Sequence, residues 1–167
     1  MSKAHPVIKG SCNCGNVKYR IVGKHKVSVN CHCRDCQEAH GSPYTHCVLY
    51  QHEQVEFTVV DGSLGSFNRR GTNKRMFCRN CGCPVCSNLF QMKLYGFFPS
   101  SAREGAFPPP AMHIYTKEAA VDQTIPDDGL PRKWIFVLRS TVFVECGIVW
   151  LPWWCVPVNI PRYNNLY

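Results

Sequence analysis

A mainly β fold of short strands and tight turns is predicted by three features of this 167-residue chain. Apolar and polar residues alternate over short stretches, β-branched residues gather in brief runs, and turn-forming residues punctuate them at close intervals. Val17, Tyr19 and Ile21 alternate with Lys18 and Arg20, as a half-buried strand would, and residues 55–60 are rich in valine. Reversals are expected at Asp61-Gly62, Gly65 and Arg70-Gly71. Phe107-Pro108-Pro109-Pro110 must form an extended loop, because three successive prolines donate no ladder hydrogen bonds. One short helix is expected, from Asp35 to His40, beginning inside a cysteine cluster.

A chain of this length can bury roughly 70% of the surface its unfolded form exposes, enough for a core of its own. Hydrophobic residues make up 45% and charged residues 18%, a globular rather than a disordered balance. The twelve cysteines would suit a disulfide scaffold in a secreted protein, but the stretch MSKAHPVIKGSCNCGNVK holds no apolar run of signal-peptide length. A reducing compartment, the cytoplasm, is therefore expected, where clustered cysteines read as metal ligands or catalytic thiols.

The formal charge is +8. Seven thiolates binding two divalent ions would lower it by three and leave the chain basic, which favours an anionic ligand. Arg69, Arg70, Lys74 and Arg75 crowd one turn and read as a solvated hairpin. From Lys133 the composition changes. Residues 134–151 are strongly apolar, yet Arg139 and Glu145 lie among them, and each charge at a bilayer centre costs about 2.5 to 3.5 kcal/mol. A membrane span is thus disfavoured against a buried or poorly ordered tail. The expected division is one domain over 8–132 and an atypical apolar tail over 133–167.

Three cysteine clusters carry the chemistry. In Cys12-Asn13-Cys14 the two-residue spacing on an extended chain puts both sulfurs on one face. In Cys78-Arg79-Asn80-Cys81 a two-residue gap makes a knuckle, with Gly82 permitting the turn. Together these four supply a closed Cys₄ zinc site. The middle cluster, Cys31, Cys33 and Cys36, combines both spacings, so three thiolates can reach one Zn²⁺ and leave a fourth position for a substrate thiol. Spacing alone leaves an alternative standing, since Cys83 or Cys86 can complete the middle site or replace Cys81, while Cys47, Cys146 and Cys155 stand apart. His32, between two ligands on an extended chain, should point away from the metal. His113, ahead of Ile114-Tyr115, suits either a packing role or the wall of a pocket, and His5, His25, His40, His46 and His52 suit surface or packing roles.

With these residues in view, the sequence resembles the glutathione-dependent formaldehyde-activating enzyme family, which also includes centromere protein V. The likeness runs through Gly10-Ser11-Cys12-Asn13-Cys14-Gly15-Asn16-Val17-Lys18-Tyr19, then Cys31-His32-Cys33-Arg34-Asp35-Cys36 with Gly41-Ser42-Pro43, then Phe77-Cys78-Arg79-Asn80-Cys81-Gly82. It continues more weakly through Met112-His113-Ile114-Tyr115 to Asp128-Gly129-Leu130-Pro131. The resemblance implies coiled antiparallel sheets tied by zinc, a structural zinc on Cys12, Cys14, Cys78 and Cys81, and a catalytic zinc on Cys31, Cys33 and Cys36. It implies glutathione as co-substrate and addition of its sulfur to formaldehyde, a carbon–sulfur lyase reaction. Asn13 stands where the family commonly has histidine, Cys83 and Cys86 add sulfurs beside the knuckle, and the tail after Lys133 resembles nothing in the family. A competing reading is a non-catalytic zinc module for a protein or nucleic acid. Against the nucleic-acid version, the chain lacks a basic stripe interleaved with aromatics.

Overall fold

The computed structural model describes residues 6–68, 73–121 and 123–134. Along them run β1 (Val7–Ser11), β2 (Val17–Val22), β3 (Val27–Cys31), α1 (Arg34–His40), β4 (Thr45–Gln51), β5 (Val55–Val59), β6 (Leu64–Asn68), β7 (Lys74–Cys78), β8 (Pro84–Leu89), β9 (Leu94–Phe97), β10 (Ala102–Glu104) and β11 (His113–Ile114). The mainly β expectation holds, and the helix starts one residue before its expected position. Two sheets form, in the orders β10-β1-β2-β5 and β11-β3-β4-β9-β8-β7-β6. The pairings between the named strands are antiparallel except for β11 on β3, where His113 lies opposite Asn30 and Ile114 opposite Cys31.

Period-two patterning explains how the sheets face each other. In β2, Val17, Tyr19 and Ile21 are buried while Lys18 and Arg20 face solvent. They join Ile8 from the same sheet and Val48, Tyr50, Val85 and Phe97 from the other in one core. Each such apolar side chain, fully buried, contributes about 1.5 to 3 kcal/mol. Aromatic contacts extend the core: Tyr19 and Phe97 have ring centroids 4.5 Å apart, and Phe107, at the head of the proline loop, packs on Tyr50 and Phe97. Tyr19 Oη keeps a buried hydrogen bond of 2.6 Å with Ser101 Oγ, which satisfies its polar end.

The turn at Asp61-Gly62 forms as expected, with Gly62 at φ +70. Gly65 does not reverse the chain. It sits inside β6, where a Cβ would meet the Phe77 ring at 2.7 Å, so the missing side chain makes room for a cross-strand aromatic. Arg70-Gly71 lies outside the described residues, as do residues 135–167 and with them Cys146, Cys155 and most of the apolar tail. The last described stretch is tied to β11: His113 N–H donates to Pro131 O and Lys133 N–H to His113 O, each at 2.8 Å. Trp134 takes the Lys117 ammonium over its ring at 4.2 Å. Among the described residues no helix is long and apolar enough to cross a membrane.

Candidate metal centres

Two groups of sulfurs converge, and two different local structures build them. Cys12 ends the β1 side of a turn in which Cys12 N–H donates to Val17 O at 2.9 Å and Gly15 N–H to Cys12 O at 3.2 Å. Cys78 closes β7, and the following knuckle is held by Gly82 N–H to Cys78 O at 2.8 Å and Cys78 N–H to Cys83 O at 3.0 Å. Gly82 has φ +69, the left-handed conformation that the knuckle requires. These turns bring the sulfurs of Cys12, Cys14, Cys78 and Cys81 within 4.8 Å of one another. Cys14 Sγ stands 3.6 Å from both Cys12 Sγ and Cys78 Sγ. A tetrahedron with Zn–S bonds of about 2.3 Å has an edge of about 3.8 Å, so the four-sulfur group fits zinc closely. Backbone N–H groups of Cys83 and Cys14 hold the Cys81 thiol down to about 6, which prepares it to bind as thiolate. Cys12 and Cys78 are buried, while Cys14 and Cys81 face solvent.

The second group comes from one short segment. Cys31 ends β3, Cys33 is the N-cap of α1, and Cys36 lies in its first turn, where Cys36 N–H and Gln37 N–H both donate to Cys33 O. Their three sulfurs also lie within 4.8 Å of one another, with Cys31 Sγ and Cys33 Sγ 3.3 Å apart. The donor set again suits zinc, with one corner of the tetrahedron left to another ligand. Cys31 and Cys36 are buried and Cys33 is partly exposed, so this group opens on the Cys33 side. Gln37 braces the segment by donating to His32 O and, at 2.7 Å, to Glu118 O.

Arg75 is the residue the sequence misassigned. It is no part of a solvated hairpin: its Nη2 donates to Cys36 Sγ at 3.5 Å and its Nη1 to Ser87 Oγ at 2.6 Å. Hydrogen bonds from the Cys31 and Cys33 thiols, followed by the Arg75 charge, hold Cys36 far below the ordinary thiol range. The same hydrogen bonding with Cys33 and Cys36 pushes Cys31 up. Lys74, beside Arg75 in sequence, does remain exposed, with its ammonium 5.8 Å from the Phe90 ring.

Neither extra sulfur beside the knuckle joins either group. Cys83 Sγ contacts Pro84 O at 3.6 Å, and Cys86 is buried against Met76 Sδ at 3.5 Å. Burial pushes the Cys47 and Cys86 thiols up, Cys47 to about 12. His32 points where the spacing suggested, away from the sulfurs: its Nε2 bonds His113 Nδ1 at 2.8 Å, and both rings are buried. His113 Nε2 in turn meets Asp128 Oδ2 at 3.1 Å. His113 is therefore a packed link between β3 and the Asp128 turn rather than a pocket wall. His46 bonds Ser28 and His52 bonds Asn88, both in packing roles.

The family model described as glutathione-dependent formaldehyde-activating enzyme matches residues 7–118. Among solved structures, the crystal structure of a Rhodobacter sphaeroides protein is similar at 22% identity and a TM-score of 0.48, covering 60% of this chain and 91% of that one. That likeness is too distant to bear on the site. A search of curated proteins finds no match.

Proposed function

The chain belongs to the glutathione-dependent formaldehyde-activating enzyme family, and from that premise we propose that it is a zinc-dependent carbon–sulfur lyase. It forms or cleaves S-hydroxymethylglutathione or a related thiol adduct. The observation that carries this reading is the difference in ligand number: four sulfurs converge in one group and three in the other. Cys12, Cys14, Cys78 and Cys81 then hold a structural zinc, and Cys31, Cys33 and Cys36 a catalytic one. Held by Cys31, Cys33 and Cys36, a zinc would supply the Lewis acidity that activates a substrate thiol at neutral pH.

The chain's own residues set up the rest. Cys31 and Cys36 anchor the site from the buried side, and Cys33 marks the side open to substrate. Arg75 offsets part of the charge that three thiolates bring together. In the reaction the glutathione sulfur bonds to the formaldehyde carbon, the C=O π bond opens, and the oxygen takes up a proton equivalent to the one the thiol lost. The balance closes without an oxidant or reductant. All ten described cysteines are free, which suits a reducing compartment such as the cytoplasm.

The test is the exchange rate between free formaldehyde and its glutathione adduct, followed by NMR with and without the zinc-loaded protein. Acceleration above the uncatalysed rate is expected. No acceleration by folded protein carrying both zincs would sink the lyase reading and favour a binding module.

A further inference from the structure

Each of the two sheets ends in two edge strands, and three of the four are blunted. β10 has three residues, two of them charged, and β11 has two and bridges to Arg132. β6 carries Gly65 and ends in polar Asn68. Short length and charge discourage a strand from pairing with another chain, and glycine weakens it. β5 has none of these devices. It reads Val55-Glu56-Phe57-Thr58-Val59, with no glycine, proline or lysine, and Val60 just beyond it is 56% exposed. Its single charge, Glu56, is already offset by Arg20 Nη1 at 3.4 Å.

The hydrogen-bond pattern fixes which backbone groups of β5 point outward. Cys12 N–H donates to Val17 O, so the odd-numbered residues of β2 face β1. Val60 N–H donates to Asn16 O, so the even-numbered residues of β2 face β5. Within β5, Glu56 and Thr58 are therefore the residues bonded to β2. The N–H and C=O groups of Phe57 and Val59, together with Val55 C=O, project from the open edge, while Val55 N–H donates to His52 O. Among the described residues none bonds the outward backbone groups of Phe57 and Val59.

We propose that β5 pairs antiparallel with β5 of a second copy of this chain, about a two-fold axis through Phe57, and so joins two four-stranded sheets into one. Charge and length choose the register. Centred on Phe57, the whole of β5 is paired: Val55 meets Val59 of the second copy, and Glu56 meets Thr58. Phe57 N–H then donates to Phe57 O of the second copy and Val59 N–H to Val55 O, so the one donor already occupied, Val55 N–H, is not needed. Centring on Glu56 would set two carboxylates face to face. Centring on Thr58 or Val59 shortens the pairing and brings Val55 or Phe57 against the turn at Asp61. The flanking strands select this chain over an unrelated one: across the junction the outer face runs Arg20, Glu56, then Thr58 and Lys18 of the second copy, with no like charges adjacent. Because the paired strand is short, the dimer is weak and concentration-dependent. It does not depend on the lyase reading.

Sedimentation velocity of the zinc-loaded full chain, over a concentration series into the high micromolar range, is expected to show a reversible equilibrium between monomer and dimer. Amide exchange followed by NMR reads the register: Phe57 and Val59 N–H should slow as concentration rises, while Glu56 and Thr58 N–H, bonded to β2, are protected at every concentration. Val59→Pro removes a donor that points away from β2, and with it the two symmetry-related bonds from Val59 to Val55, so it should weaken the dimer about tenfold or more. Thr58→Glu sets a carboxylate opposite Glu56 of the second copy while facing Lys18 in its own sheet, and should weaken the dimer several-fold. Adding Glu56→Gln to Thr58→Glu should restore much of that loss. Both single variants should keep the wild-type zinc content. Should Val59→Pro lose cooperative melting, Thr58→Glu and its rescue carry the test. A monomer at every concentration overturns the proposal. So does a dimer that Thr58→Glu leaves unweakened, or one whose formation leaves the Phe57 and Val59 exchange rates unchanged, since either places the contact elsewhere.

Discussion

The four-sulfur group joins two turns that are far apart in sequence, with Cys14 and Cys78 separated by 64 residues, whereas the three-sulfur group comes from six consecutive residues at the end of β3 and the start of α1. The first spans both sheets, since Cys12 follows β1 of one and Cys78 ends β7 of the other. A ligand lost there reopens a long loop and separates two layers, while a ligand lost from the second disturbs one strand end and one helical turn. Under the proposed roles, the difference in sequence separation makes the four-sulfur group the one on which stability depends.

The largest effect should come from Cys12→Ala. Cys12 is buried in the main core, and its sulfur also accepts the Val17 N–H at 3.3 Å. Structural zinc in zinc-finger peptides is bound with about 10 to 16 kcal/mol, as much as the whole stability of a typical domain, about 5 to 15 kcal/mol. The variant is expected to lose cooperative thermal unfolding by circular dichroism, together with the metal of that group.

Cys36→Ala should behave differently. Zinc content is expected to fall from two to one per chain and the catalysed formaldehyde exchange to vanish, while cooperative melting survives with a loss of about 1 to 3 kcal/mol. Equal unfolding of Cys12→Ala and Cys36→Ala would erase the distinction between the two groups.

The convergence of the two groups of sulfurs was legible because ligand-type spacing leaves short-range marks. Two-residue and knuckle spacings fix sulfur directions locally, and the ligand count then pairs the first cluster with the third. What escaped depends on partners distant in sequence. Arg75 has three basic neighbours within six positions, and composition alone reads that as a hydrated turn; only the pairing of β7 with β8, which sets Arg75 opposite Ser87, turns it inward. Gly65 was misread for a related reason. A glycine between strand residues signals a turn or a close approach, and only the position of the Phe77 ring decides between them. Likewise the His32–His113 bond spans 81 residues and depends on a two-residue parallel pairing too short to leave a periodic signal.

That buried link makes the next prediction, of intermediate size. His113→Ala removes the partner of His32 Nε2 inside the protein and opens a void, so a loss of about 2 to 4 kcal/mol is expected, read as a lowered melting temperature. Because His32 sits between Cys31 and Cys33, the variant should also surrender the metal of the three-sulfur group to a chelator faster than wild type. The four-sulfur group should release its metal at the wild-type rate. Faster loss from both would show that the link supports the fold as a whole rather than the β3–α1 segment.

The smallest effects offer the sharpest contrast, because one left-handed glycine follows the knuckle of the four-sulfur group and another caps the helix that carries Cys36. Gly82, in the knuckle, has φ +69, and Gly41, at the C-cap of α1, has φ +59 with its N–H donating to Gln37 O at 2.8 Å. A Cβ at either position meets nothing within 4 Å, so alanine costs only the backbone penalty, about 1 to 2 kcal/mol in both cases. With steric cost removed from both sides, the two variants should melt alike yet differ in where metal is lost. Gly82→Ala should loosen the four-sulfur group, whose knuckle it strains, and Gly41→Ala only the last turn of α1, with both metals retained. Metal release measured on both proteins tests this directly: matched stability with unmatched zinc retention is what a fold clamped at one cluster and working at the other requires.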